Sequence, residues 1–308
     1  MHALGQLGLV VHPRRDIEGA LDTIRGWAAA NGATVGHVPI AGQSRRVAEP
    51  VDAAACDLLL ALGGDGTMLA ALHAAAPADR PVLGVACGSI GVLTSVQAED
   101  LSAGLGQVAA GRWTRRTLPA LRVSAEGHEP RFAINDFVVI RDGTGQVLLH
   151  ITVDGELYAR TAGDGLVVAT PLGSTAYTMA AGGPILGPGT TGMVLVPLAH
   201  HGGVSPPLVV GPQSRVGLSV EMGHGGGRFE IDGQVLATTA AAVTVSHRSE
   251  YASVVALADQ EPLLASLRRR RLVVDAPRIL ARDARGDKAL KPPAGDGPPA
   301  PERRTAPR

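Results

Sequence analysis

The stretch "CDLLLALGGDGTMLAALHAAA", residues 56–76, decides the reading of this chain. Its apolar run, Leu58–Leu62, has the uninterrupted hydrophobicity of a strand covered on both faces, which is the mark of a parallel sheet. The glycines of Gly63-Gly64-Asp65-Gly66 then break the strand, and an alanine-rich amphipathic segment predicts a helix from near Thr67. A strand, a glycine turn and a helix in that order place the turn at the carboxyl edge of a parallel sheet, where open α/β folds bind ligands.

Working outward, "LGLVVH" predicts a first strand and Asp16 to Ala30 a helix stopped by Asn31-Gly32. "TVGHVPI" and "PVLGVAC" predict further strands, and "AEDLSAGLGQVAAG" a further helix. This alternation predicts a doubly wound α/β domain over residues 1–111. From Trp113 the pattern changes to short β-rich runs separated by turns such as Asp154-Gly155 and Asp232-Gly233. A β-rich, sandwich-like domain is therefore expected over 112–256, with one short helical segment at "STAYTMAAGG". Residues 257–276 are expected to pack back on the first domain. The Pro-, Ala- and Arg-rich stretch 277–308 is expected to be a disordered tail.

Composition narrows the function. The 28 basic and 28 acidic residues balance, so nothing marks a nucleic-acid or membrane surface. No apolar run reaches the roughly 20 residues of a membrane-spanning helix. The N-terminal order of charge and apolarity is not that of a signal peptide. The two cysteines, Cys56 and Cys87, sit in apolar runs and suit a reduced, cytoplasmic setting as buried filler.

The glycines at 63, 64 and 66 let backbone N–H groups approach phosphate oxygens, and the following helix N-terminus adds partial positive charge. A carboxylate at Asp65 is out of place beside phosphates unless it has chemistry to do. It can take the proton of an attacking hydroxyl, or orient that hydroxyl and a phosphate-bound Mg²⁺. The competing reading is that Asp65 only caps its helix.

Gly-Gly-Asp-Gly-Thr resembles the nucleotide loop of NAD kinases, of diacylglycerol and sphingosine kinases and, more loosely, of phosphofructokinases. "DGLVVATPLGSTAYTMAAGGPI" (164–185), "AINDFVVIR" (133–141), "GVACGSIGVLTSV" (84–96), "IDGQ" (231–234) and "LRRRRLVV" (267–274) narrow the resemblance to NAD kinases, with order and spacing kept from about residue 7 to 275. The resemblance implies an enzyme, working in the cytoplasm as a homodimer or homotetramer. It would pass the γ-phosphate of ATP, with Mg²⁺, to the 2′-hydroxyl of the adenosine ribose of NAD. It implies Asp65 as the catalytic carboxylate, with Gly63, Gly64, Gly66 and Thr67 lining the nucleotide site. Asn135 and Asp136 would bond ribose or adenine groups, and Asp164 would lie beside the nicotinamide half. Thr175, Ala176 and Tyr177 would wall the adenine, Gln234 would add a polar contact, and no residue is expected to hold a metal by itself.

The chain departs from the family pattern around the presumed acceptor: Ala86 for asparagine, Val92 for phenylalanine, Asp136 for glutamate, Leu172 for threonine and Ala180 for serine. Ala162 falls where many members carry arginine. Two other readings therefore stand beside NAD kinase: a kinase for another hydroxyl acceptor, and a nucleotide-binding regulatory module. Arg14 or Arg15 is a candidate phosphate contact. His200 and His201 lack a third ligand at metal-binding spacing.

Overall fold

The computed structural model describes residues 4–88, 91–237, 240–258 and 261–285. Chain contacts divide it into two compact units, up to Leu263 and from Leu264 onward. The first unit opens with β1 (Gln6–Val11), α1 (Glu18–Asn31), β2 (Thr34–His37), β3 (Leu58–Gly63), α2 (Asp65–Ala75) and β4 (Pro81–Ala86). All six residues of β3 are buried, as a strand sandwiched between helices must be. α1 ends where Gly32 takes φ 68°, the left-handed cap that only glycine adopts at no steric cost. After β5 (Val96–Gln97) comes α3 (Leu101–Ala109), so the helix foreseen from Ala98 starts with a single 3₁₀ turn.

The parallel strands run in the order β2-β1-β3-β4. The chain winds outward from β1 to β2, then crosses back to lay β3 and β4 on the other side. The carboxyl ends of β1 and β3 thus form the switch point at which ligands bind in such sheets. Leu21 and Ile24 of α1 and Leu101 and Leu105 of α3 bury one face of this sheet, and Met68 and Leu72 of α2 bury the other.

The β-rich half begins with β6 (Trp113–Ala125), β7 (Arg131–Ala133), β8 (Asp136–Arg141), β9 (Val147–Val153), β10 (Glu156–Gly163) and β11 (Gly165–Ala169). It continues through α4 (Tyr177–Ala180), β12 (Met193–Leu198), β13 (Leu208–Val210), β14 (Arg215–Met222), β15 (Gly227–Ile231), β16 (Gln234–Val235) and β17 (Ala242–Leu257). One sheet, β13-β12-β11-β8-β15-β16, packs Phe137, Leu166 and Phe229 against Ile151, Leu218 and Val245 of the other. This is a sandwich, with the hydrophobic alternation of β14 reading out its inward face.

The long strand β17 joins the halves. Its first residues pair antiparallel with β14, while Ser253 and Val254 pair parallel with β4. The antiparallel sheet and the doubly wound sheet are therefore continuous through one strand. β6 follows β17 on its other edge, with a break in register between Arg248 and Ala252. In the second unit, Arg268 grips Asp275 through two 2.8 Å bonds. Pro277–Ala284 forms a short helix at the start of the stretch read as a tail, and residues 286–308 lie outside the described residues.

Candidate active site

Asp65 is the first residue of α2, two positions earlier than the predicted start, and Gly64 is the cap residue. Its carboxylate does not cap the helix. One oxygen accepts the N–H of Val92 and the other the N–H of Leu93, each at 3.0 Å, from the segment after β4. Gly91 makes room for this, because a Cβ there would lie 2.0 Å from an Asp65 oxygen. The carboxylate is thus held in one orientation by two backbone donors, with lone pairs left for another partner.

Asp65, Gly64, Gly66 and Thr67 line a pocket of about 240 Å³ with His12, Arg15 and Gln43 from the loops after β1 and β2. Gly63 ends β3 just behind, and a side chain there would meet the Thr67 hydroxyl at 2.3 Å. Of the two candidate arginines, Arg15 lines this pocket and Arg14 does not. The Arg15 guanidinium donates to the Cys87 carbonyl at 3.2 Å, which carries it across the turn. The His12 pKa is lowered, first by burial and then by Arg15, Arg14 and Arg45, so its Nδ1 can accept the N–H groups of Arg14 and Arg15. The result is a cavity of backbone N–H groups, one guanidinium and one carboxylate at a helix N-terminus, suited to phosphate.

A second group forms around Asp232, which the sequence reading passed over in favour of its neighbour Gln234. The Asp232 side chain is only 3% exposed. It accepts the N–H groups of Ile134 (2.9 Å), Asn135 (2.7 Å) and Asp136 (3.1 Å), and lies 2.7 Å from His73 Nε2. The 170–177 segment docks on the same residues. Thr170 donates its hydroxyl to the Ile134 carbonyl, and a Cβ on Gly173 would strike the Asn135 carbonyl at 2.0 Å. Asp136 accepts the Tyr177 N–H. Asn135, Asp136, Thr175, Ala176 and Tyr177 are therefore brought together. Asp164, at the end of the hairpin, pairs with Arg141. Gln234 is exposed on β16, and no side-chain hydrogen bond joins it to this group among the described residues.

Asp136 is buried, and its pKa is pushed up to about 7, first by that burial and then by Asp232, against the Tyr177 N–H that lowers it. With the folded value above the unfolded one, ionising this group costs stability. That cost grows from about pH 4 and is complete above about pH 7. Asp136→Asn should therefore raise the melting temperature at pH 8, by less at pH 5; thermal unfolding at both pH values checks it.

Among the departures, Val92 meets Asp65 through its backbone, so its side chain is not what holds the carboxylate. Leu172 packs against the cluster containing Ile134 and Ala252, which its apolar side chain suits better than a threonine would. Cys56 is fully buried, and Cys87 is partly so; both are free thiols.

A doubly wound sheet carrying an acidic glycine turn at its switch point, joined through one strand to a β-sandwich, is the architecture of a kinase class. The ATP-NAD kinase N-terminal domain matches residues 10–113, and the ATP-NAD kinase C-terminal domain matches residues 134–256. The chain belongs to the ATP-NAD kinase family. It is 42% identical to an NAD kinase of Nocardia farcinica over 194 residues, 60% of this chain and 59% of that protein's length. It is 36% identical to one of Burkholderia cenocepacia over 221 residues, 70% of this chain and 73% of that protein. Among solved structures, yeast NADH kinase complexed with NADH aligns with a TM-score of 0.74 at 20% identity, covering 90% of both chains. An Archaeoglobus fulgidus NAD kinase in complex with ATP aligns with a TM-score of 0.70 at 23% identity, covering 87% of this chain and 100% of that one. These two likenesses establish the fold.

Proposed function

We propose that this chain transfers the γ-phosphate of ATP to the 2′-hydroxyl of the adenosine ribose of NAD, producing NADP. The observation that carries the reading is the oriented Asp65 carboxylate in the wall of a phosphate-suited pocket. In the reaction, the ribose 2′-oxygen bonds to the γ-phosphorus as the bond from that phosphorus to the bridging oxygen breaks. ADP leaves with the electron pair, and Asp65 takes the hydroxyl proton. The N–H groups of Val92 and Leu93 stop the carboxylate from turning away, so a lone pair faces the hydroxyl before substrate arrives. Arg15 and the N-terminus of α2 hold the phosphates.

Magnesium belongs to this reading as part of the triphosphate substrate. Among the described residues no group of three His, Cys, Asp or Glu side chains could hold a metal, and Asp65 is the carboxylate lining the pocket. That donor set suits an ion held mainly by phosphate oxygens and water. Asn135, Asp136, Asp164, Thr175, Ala176, Tyr177 and Gln234 receive the dinucleotide. Tyr177 is 37% exposed and offers a flat ring to a base. No helix among the described residues is long and apolar enough to cross a membrane. The free thiols support a reducing, cytoplasmic setting. The family resemblance supports a homodimer or homotetramer, which gel filtration checks.

Arg15→Ala should raise the KM for ATP about tenfold, the usual worth of one charged hydrogen bond, and leave the KM for NAD within twofold. Steady-state kinetics in each substrate measures this. The function itself is tested by supplying purified protein with ATP, Mg²⁺ and NAD and following NADP with an NADP-specific dehydrogenase. Turnover of about 1 s⁻¹ or more is expected. ADP release with another alcohol, and none with NAD, would instead assign the chain to a kinase of different acceptor. Nucleotide binding without turnover would make it a regulatory module.

A further inference from the structure

Helix α2 carries Asp65 at its start and His73 eight residues on (73 − 65), about 12 Å along the axis at 1.5 Å per residue. His73 Nε2 lies 2.7 Å from the Asp232 carboxylate, and Nδ1 lies 3.3 Å from the Tyr251 hydroxyl. A carboxylate only accepts, so Nε2 carries the hydrogen that joins His73 to Asp232, and Nδ1 shares the second hydrogen bond with the Tyr251 hydroxyl. Tyr251 is itself fixed, stacked on Phe132 with ring centroids 4.8 Å apart. Asp232 is the same group that accepts the three N–H groups of Ile134, Asn135 and Asp136. One helix therefore ends at the pocket carboxylate on one side and, through a single imidazole, at the anchor of the Asn135–Asp136 segment on the other.

We infer that His73 is a positioning residue that sets the acceptor-binding segment against the helix bearing Asp65. This inference rests on the proposed function, in which Asn135 and Asp136 receive the dinucleotide. His73 touches neither the reacting atoms nor the phosphate pocket, and it acts through Asp232. Its removal leaves the Asp232 carboxylate with its three backbone donors, so the segment keeps its shape but loses its tie to α2. The consequence falls on the acceptor and spares the nucleotide pocket, which is built from Gly64 to Thr67 and the loops after β1 and β2.

The test is steady-state kinetics of His73→Leu and His73→Gln beside the natural protein, with ATP and NAD varied separately and thermal unfolding measured in parallel. Gln places an amide donor close to the position of Nε2, whereas Leu has none. His73→Leu should raise the KM for NAD about tenfold and leave the KM for ATP within twofold. His73→Gln should recover most of the loss. An unchanged KM for NAD in His73→Leu overturns the inference. So does an equal rise in both KM values, or a His73→Gln variant as impaired as His73→Leu. Should His73→Leu not fold, His73→Asn takes its place, because its amide is too short to reach Asp232. A natural protein that makes no NADP under the same conditions sinks the underlying function instead, and the two failures are read from different samples.

Discussion

Asp65→Asn lowers the turnover number for NADP formation by about 10³-fold, within the range that a positioned general base contributes. The replacement is nearly isosteric, and its amide oxygen still accepts one of the two N–H groups that fix the carboxylate. Its NH₂ group, however, faces the other N–H donor and can take no proton from a hydroxyl. Removing a negative charge beside the phosphate pocket should leave ATP binding equal or tighter. A large loss of turnover with retained or improved ATP affinity therefore separates a chemical role from a structural one. Calorimetry with ATP and a dehydrogenase-coupled rate measure the two quantities. A variant with more than a tenth of the natural turnover would remove Asp65 from the reaction.

The second large effect is on stability. Asp232→Ala should lower it by about 3–5 kcal/mol, as expected when a buried, multiply bonded carboxylate is deleted and its partners are stranded. Ile134 is fully buried, so its N–H has no water to turn to. Asn135, Asp136 and His73 lose an acceptor at the same time. For a chain of this size the melting temperature should drop by about 10 °C. A change of less than about 2 °C would mean that the carboxylate is dispensable to the fold.

These two carboxylates differ in how far the sequence announces them. Asp65 stands between glycines after a fully apolar run, and local grammar alone places it on a turn at the edge of a parallel sheet. The Asp154-Gly155 and Asp232-Gly233 turns were equally plain. Both aspartates take positive φ, 53° and 50°, as tight hairpin turns require. What Asp232 does was not legible, because its partners lie 96 to 98 residues back in the chain, and 159 back for His73. No local pattern reports such a contact. Gln234, two residues on, attracted attention only through the family motif.

The strand lengths were hidden for a related reason. The whole of β17 runs over Ala242–Leu257, but it joins the antiparallel and parallel parts of one sheet and is interrupted near Arg248, so only its first part has the alternation of a simple strand. The joining of the two halves through that strand is a tertiary fact that no periodicity carries. Departures such as Val92 and Leu172 looked like missing contacts in the sequence. In the structure one contributes its backbone and the other its packing.

The central claim concerns which hydroxyl receives the phosphate. Its most direct test offers γ-labelled ATP and Mg²⁺ to the purified protein with NAD, adenosine and glycerol present together, and then separates the products. The account predicts label in NADP, on the ribose 2′-position, and loss of that label in Asp65→Asn. Label in adenosine phosphate or glycerol phosphate with none in NADP would contradict it.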